Sequence, residues 1–201
     1  HLTSGIERAD SVVIDFHKMM LAPALTTAVL FRNGQHSYET FAQKAEYLLS
    51  NGAKKPWYDS AGRTLECTKK MLGVKVYAMI KLYGDRLFSD YITTTYDLGH
   101  FMSDLIKQEK GFEPAVEPDG NIVCFRYRPD GFTGDLNKLT SAIRKKITED
   151  AGFYVVQTSV GGQTYLRITL MNPFTKEEDL RDLLGLIRKI AGAMVDSGKP
   201  E

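Results

Sequence analysis

Residues 10–32, DSVVIDFHKMMLAPALTTAVLFR, constrain this chain more than any other stretch. Two β-branched apolar runs, Val12 to Ile14 and Thr26 to Phe31, flank His17-Lys18 and the apolar segment Met-Met-Leu-Ala-Pro. Such runs predict strands, and a Val-Val-Ile run predicts burial on both faces. A lysine set among so many apolar residues must reach water, pair, or lose its charge. A lysine that loses its charge becomes nucleophilic, which makes Lys18 a candidate attachment point for an aldehyde group. The bland alternative is an ordinary strand-end lysine, and His17 alone reads as a satisfied core histidine.

Composition narrows the class. The chain has 201 residues, 43% hydrophobic and 25% charged, which suits one large core or two modest domains. A net charge of +1 leaves no electrostatic footprint for nucleic acid or an anionic membrane. Cys67 and Cys124 stand far apart and outside any metal-ligand spacing, so a reducing cytoplasm is the expected compartment. No apolar run approaches the roughly 20 residues of a membrane helix, and the polar start HLTSGIERAD has no signal-peptide core. His1 leads almost directly into a strand without an initiating methionine, which suggests that preceding residues are missing.

Along the chain, Ser11 to Asp15 and Thr26 to Phe31 read as strands, with a turn at Asn33-Gly34. Residues 35–62 read as a long loop with one helical turn around Phe41 to Leu49. A helix is expected from Lys69 to a stop at Gly84, with Met71, Val74, Ala78 and Leu82 as core. A second is expected from Leu87 to Lys110, ended by Gly111, with Leu98, Phe101, Met102, Leu105 and Ile106 on its core face. Lys69-Lys70 read as a solvated helix start or a contact for a second subunit. After a connection at Pro114 to Gly120, Asn121 to Arg128 alternates as a strand. Asp135 caps a helix to Ala151, and Phe153–Val160 and Gln163–Leu170 form a hairpin through Gly161-Gly162. Thr175 with Glu178 is a capping box for a last helix reaching about Val195. Strand, helix, hairpin, helix predicts a compact α/β sandwich.

The order of motifs resembles a known family. HLTSGIERADSVVIDFHKMM is similar to the lysine region of the group II pyridoxal-phosphate-dependent amino-acid decarboxylases. The likeness continues through RTLECTKKMLGVKVYAMIKLYG and NIVCFRY to TYLRITLMNPFTKEEDL, so it spans nearly the whole chain. It implies an α/β chain of fold-type I, transferase-like. Residues 1–112 would be the end of the large cofactor-binding domain, with a mobile loop at about 35–62. Residues 113–201 would be the small C-terminal domain.

The resemblance also implies roles. Lys18 matches the lysine that bonds the aldehyde of pyridoxal 5'-phosphate. His17 and Asp15 match positions beside the cofactor phosphate; the family often has Asn where this chain has Asp15, and a carboxylate there repels a phosphate unless it bonds elsewhere. Tyr47 matches the loop tyrosine that protonates the substrate carbon; read alone it is a loop aromatic. Arg167 matches the arginine that grips the substrate carboxylate, a task suited to a planar guanidinium fork. From the pattern alone, Arg167 could equally face solvent beside Tyr165 and Thr169. The family's remaining cofactor contacts precede the equivalent of His1, so a missing N-terminal segment or a homodimer partner would complete the pocket. The implied activity is decarboxylation of an L-amino acid in the cytoplasm, an acidic one such as glutamate or aspartate being favoured. Oxidative deamination on the same fold, or a non-catalytic piece that only pairs with a partner chain, are the alternatives.

Overall fold

The computed structural model describes residues 2–42, 58, 60–66, 68–150 and 152–196. The chain divides into two units, His1–Phe88 and Ser89–Glu201.

In the first unit, β1 (Ser11–Asp15) and β2 (Thr27–Phe31) pair antiparallel, with Ser11 opposite Phe31, Val13 opposite Val29 and Asp15 opposite Thr27. The β-branched residues suit this ladder, but burial differs from expectation. Val13 is 63% exposed and no β1 side chain is buried. A two-stranded ribbon has no flanking strands to shield its faces, so an apolar run here reports strand propensity without reporting burial.

The turn at Asn33 is as expected: the Gln35 N–H donates to Asn33 Oδ1 at 3.1 Å. It opens α1 (Gln35–Thr40), a helical turn that sequence reading does not place; the turn expected around Phe41 to Leu49 lies outside the described residues from residue 43 on. Residues 43–57, which include most of the expected loop, lie outside the described residues. Helix α2 (Gly73–Tyr83) ends as expected at Gly84, whose φ of 71° is in the left-handed region. None of its side chains is buried, and Met71, Val74, Tyr77 and Ile80 are exposed. The reading of this segment as core therefore fails. Its apolar residues wrap around the helix instead of forming one stripe, so helical spacing alone could not indicate a buried face.

The second unit begins within α3 (Arg86–Gln108), which Gly111 follows at a φ of 85°. Then come β3 (Phe112–Pro114), β4 (Ile122–Tyr127), α4 (Leu136–Asp150), β5 (Val156–Val160), β6 (Gln163–Thr169) and α5 (Glu177–Asp196). The four strands form an antiparallel sheet in the order β3-β4-β6-β5. Asp135 caps α4 as expected, its Oδ1 accepting from the N–H groups of Asn137 and Lys138 at 2.8 and 3.2 Å. Gly161 and Gly162 both have positive φ, as the tight hairpin between β5 and β6 requires. The cap of α5 is displaced from the expected Thr175–Glu178 box. The helix starts at Glu177, so it is Asp179 that reaches back, accepting from the Lys176 N–H at 2.8 Å.

One face of the sheet is buried. Val123, Phe125, Leu166 and Ile168 pack in a single core with Met102 and Ile106 of α3, Leu139 and Ile143 of α4, and Leu183 and Ile187 of α5. Burying each such side chain is worth about 1.5–3 kcal/mol. No helix among the described residues is long and apolar enough to cross a membrane.

Candidate active site

The end of the β1–β2 ribbon brings Asp15, His17 and Lys18 together. The Lys18 N–H donates to the Asp15 carbonyl at 3.2 Å, closing a turn that folds the lysine back over the strand it has just left. Its Nζ lies 2.5 Å from Asp15 Oδ2. The Lys18 side chain is 65% exposed, so of the three outcomes open to it, it both pairs and reaches water. Apolar sequence neighbours do not enclose it, because the turn carries it to the polar end of the ribbon.

Asp15 also bonds across the ladder: Thr27 Oγ1 donates to its Oδ1 at 2.8 Å. With both oxygens engaged, the carboxylate does bond elsewhere. The hydrogen bond from Lys18, then that from Thr27, hold its pKa below the ordinary carboxylate value.

His17 is tied twice to one carbonyl. Its backbone N–H reaches Thr26 O at 3.2 Å and its Nδ1 lies 3.0 Å from the same oxygen. A carbonyl only accepts, so Nδ1 carries the proton and Nε2 is left open. Thr26 is itself buried, and its hydroxyl donates to Pro23 O at 2.6 Å. Thr26 and Thr27 are thus site residues that sequence reading missed. The pairing of Asp15 with Thr27 would have followed from the hairpin register, but the eleven intervening residues leave that register open.

Arg167 is on β6 in the second unit. Leu166 and Ile168 beside it are buried, so Arg167 faces the other side of the sheet, opposite Cys124 of β4 and Val156 of β5. It is half-buried, and among the described residues no carboxylate pairs with it. Burial pushes the Cys124 thiol up, while the Arg167 charge acts in the opposite direction. Arg126 shares this face and is fully engaged: Nε donates to Glu113 Oε2 at 2.9 Å, Nη1 to Gln163 Oε1 at 3.1 Å, and its guanidinium lies over Tyr165. Tyr47 and Cys67 lie outside the described residues.

A cavity of about 640 Å³ runs along β2 from Thr27, lined also by Phe41, Arg63 and Lys69. Its cations are occupied, Arg63 over the Tyr38 ring and Lys69 beside Glu66. Among the described residues no group of histidine, cysteine, aspartate and glutamate could hold a metal ion.

The chain is similar to known proteins in sequence and in fold. Aspartate 1-decarboxylase of Aliivibrio fischeri is 27% identical over 96% of this chain and 38% of its own length. L-2,4-diaminobutyrate decarboxylase of Acinetobacter baumannii is 25% identical over 98% of this chain and 39% of its own. The chain therefore spans about two fifths of the length of the curated relatives it matches. Among solved structures, Catharanthus roseus tryptophan decarboxylase in complex with L-tryptophan superposes with a TM-score of 0.82 at 20% identity. It covers 96% of this chain and 39% of that one. Mouse CSAD superposes equally well at 22% identity, covering 95% of this chain and 42% of that one. The fold is accordingly the α/β fold of the fold-type I pyridoxal-phosphate enzymes, in part. The sequence profile of the pyridoxal-dependent decarboxylase conserved domain matches residues 1–128, well over half of the chain, and the chain belongs to that family.

Proposed function

We propose that this chain is the C-terminal part of an enzyme that decarboxylates an L-amino acid with pyridoxal 5'-phosphate. In this reading residues 1–112 end the large domain and 113–201 form the small one. The observation that carries it is the Lys18 amine, exposed and fixed on a hydrogen-bonded turn beside His17. An aldehyde needs a reachable primary amine, and the exposed Lys18 side chain meets that demand. When bound, the cofactor supplies an electron sink for the bond broken as carbon dioxide leaves.

The chain's own residues divide the remaining work. Lys18 offers the attaching amine and Asp15 orients it. His17 can donate from Nε2 to a phosphate oxygen only as the imidazolium, because Nδ1–H is committed to Thr26. Arg167, half-buried and without a carboxylate partner among the described residues, is suited to hold a carboxylate by two parallel hydrogen bonds. Tyr47 acts as the general acid that delivers a proton to the substrate carbon, a contribution typically of about 10²–10⁴-fold. Without that proton the carbon stays open to oxygen, so an aldehyde product from Tyr47→Phe would be the mark of oxidative deamination.

The relatives include enzymes named for aspartate and for diaminobutyrate, and an acidic amino acid is our favoured substrate. Segments preceding the equivalent of His1, together with a second subunit of a cytoplasmic homodimer, complete the pocket. The test is the full-length protein loaded with pyridoxal phosphate and challenged with a panel of amino acids. Lys18→Ala abolishes both the absorbance of the protein-bound cofactor and carbon dioxide release. If Lys18→Ala keeps that absorbance, Lys18 is not the attachment point.

A further inference from the structure

We propose that Asp15 and Thr27 act as positioning residues that latch the Lys18 side chain in the cofactor-free chain, Thr27 acting through Asp15. This rests on the reading of Lys18 as the cofactor lysine and names what governs its readiness. Three observations carry it. Asp15 and Thr27 are direct cross-strand partners at the last rung of the β1–β2 ladder, so their side chains leave the ribbon on the same face. Thr27 donates to one carboxylate oxygen and Lys18 to the other, at 2.8 and 2.5 Å, so the hydroxyl fixes the plane of the carboxylate that holds the ammonium. The Lys18 backbone is pinned as well, through its N–H to the Asp15 carbonyl. The lysine is thus bonded to the same residue at both ends of its side chain.

The chemistry of the latch is straightforward. An amine held as an ammonium against a carboxylate has its nitrogen lone pair occupied by a proton. It reacts with a carbonyl or acylating group only after the pair opens and the proton leaves. Lys18 should therefore be less reactive than its exposure suggests. The depressed pKa of Asp15 is consistent with a carboxylate that stays ionised and keeps hold of the ammonium throughout the neutral range. Asparagine at this position would accept a hydrogen bond but could not form the ion pair. Threonine at 27 is the only hydroxyl that the structure places on the free oxygen of Asp15 among the described residues.

The experiment measures the rate at which a small water-soluble acetylating reagent modifies Lys18 in the full-length protein freed of pyridoxal phosphate, read lysine by lysine by mass spectrometry. Lys145, exposed on α4 and without an ion pair among the described residues, is the internal reference. In the wild type Lys18 should react several-fold more slowly than Lys145. Asp15→Asn should raise the Lys18 rate to that of Lys145, and Thr27→Val should raise it part of the way. Thr27→Ser, which keeps the hydroxyl, should restore the wild-type rate, a rescue that a merely structural role for residue 27 would not produce. Added salt should narrow the gap between the two lysines, because the pair is open to solvent. Equal rates for Lys18 and Lys145 in the wild type would overturn the latch, as would a Lys18 rate that Asp15→Asn leaves unchanged. A separate arm incubates the full-length protein with pyridoxal phosphate and fixes the adduct with borohydride. If the adduct maps to another lysine while the acetylation pattern holds, the cofactor reading fails and the latch stands.

Discussion

Arg126 and Arg167 share one face of the sheet, a diagonal step apart on the adjacent strands β4 and β6, yet their surroundings give them different work. Arg126 has a carboxylate, an amide and an aromatic ring, and its side chain is only 11% exposed, so it is a structural tie between β3, β4 and β6. Among the described residues Arg167 has none of these partners. The partner that separates them, Glu113, makes the tie pH-dependent. Burial pushes its carboxyl up, but hydrogen bonds from Arg128 and Arg126 outweigh this and leave it below the ordinary value. A carboxyl whose folded pKa is depressed contributes stability above the unfolded pKa of about 4.3 and loses it as pH falls through the folded value. The Ser89–Glu201 unit should therefore hold its melting temperature from pH 7 to about 5 and lose stability below about pH 4. Glu113→Gln should lower stability at pH 7 by about 1 kcal/mol or less, since the pair is partly exposed, and flatten the acid limb. Thermal melts of both proteins between pH 3 and 7 check this; identical acid limbs would remove Glu113 from the account.

Between elements, α3 comes close to the loop before β4 at Gly99. A methyl group on Gly99 would stand far inside contact distance of the Gly120 carbonyl oxygen and 3.1 Å from its carbonyl carbon. Helix propensity alone favours Gly99→Ala by roughly 1 kcal/mol. The clash is with backbone, which cannot swing aside, so overpacking should win and the net cost should be about 1–3 kcal/mol. Denaturant titration gives the sign, and a stabilised variant would mean that the loop moves away freely. Elements of this kind were legible in the sequence where their signals are local: Gly84 and Gly111 as helix stops, Asp135 as a cap and Gly161-Gly162 as a hairpin all stand where the chain calls for them. β3 was not legible, because Phe-Glu-Pro is too short to alternate. It exists only through pairing with β4, and as an edge strand it tolerates Pro114. Among the candidate residues, Lys18, His17 and Asp15 of the first unit and, separately, Arg167 of the second could be named from the sequence because they fall in motifs that resemble the family's. Thr26 and Thr27 could not, because their role comes from a cross-strand register and a carbonyl contact that no local pattern encodes.

The two units differ in how much they bury. The second holds a continuous apolar core, whereas Ala22, Thr26, Ser37 and Phe88 are the buried larger-than-glycine residues among the described residues of the first. Protection from local opening follows buried contact, so amide hydrogen exchange should be slowest in β4 and β6 and about a hundredfold or more faster in β1 and β2. Exchange mass spectrometry resolves the two sets of peptides, and equal protection would contradict the burial pattern. The thin burial around the ribbon has a further consequence, in terms of mass action. A ligand that binds only the ordered form adds RT ln(1 + [L]/Kd) to its stability, about 2.7 kcal/mol at a hundredfold excess over Kd. Where the described side chains bury little, that increment is a large fraction of the whole, so any ligand seated on the ribbon should slow its amide exchange.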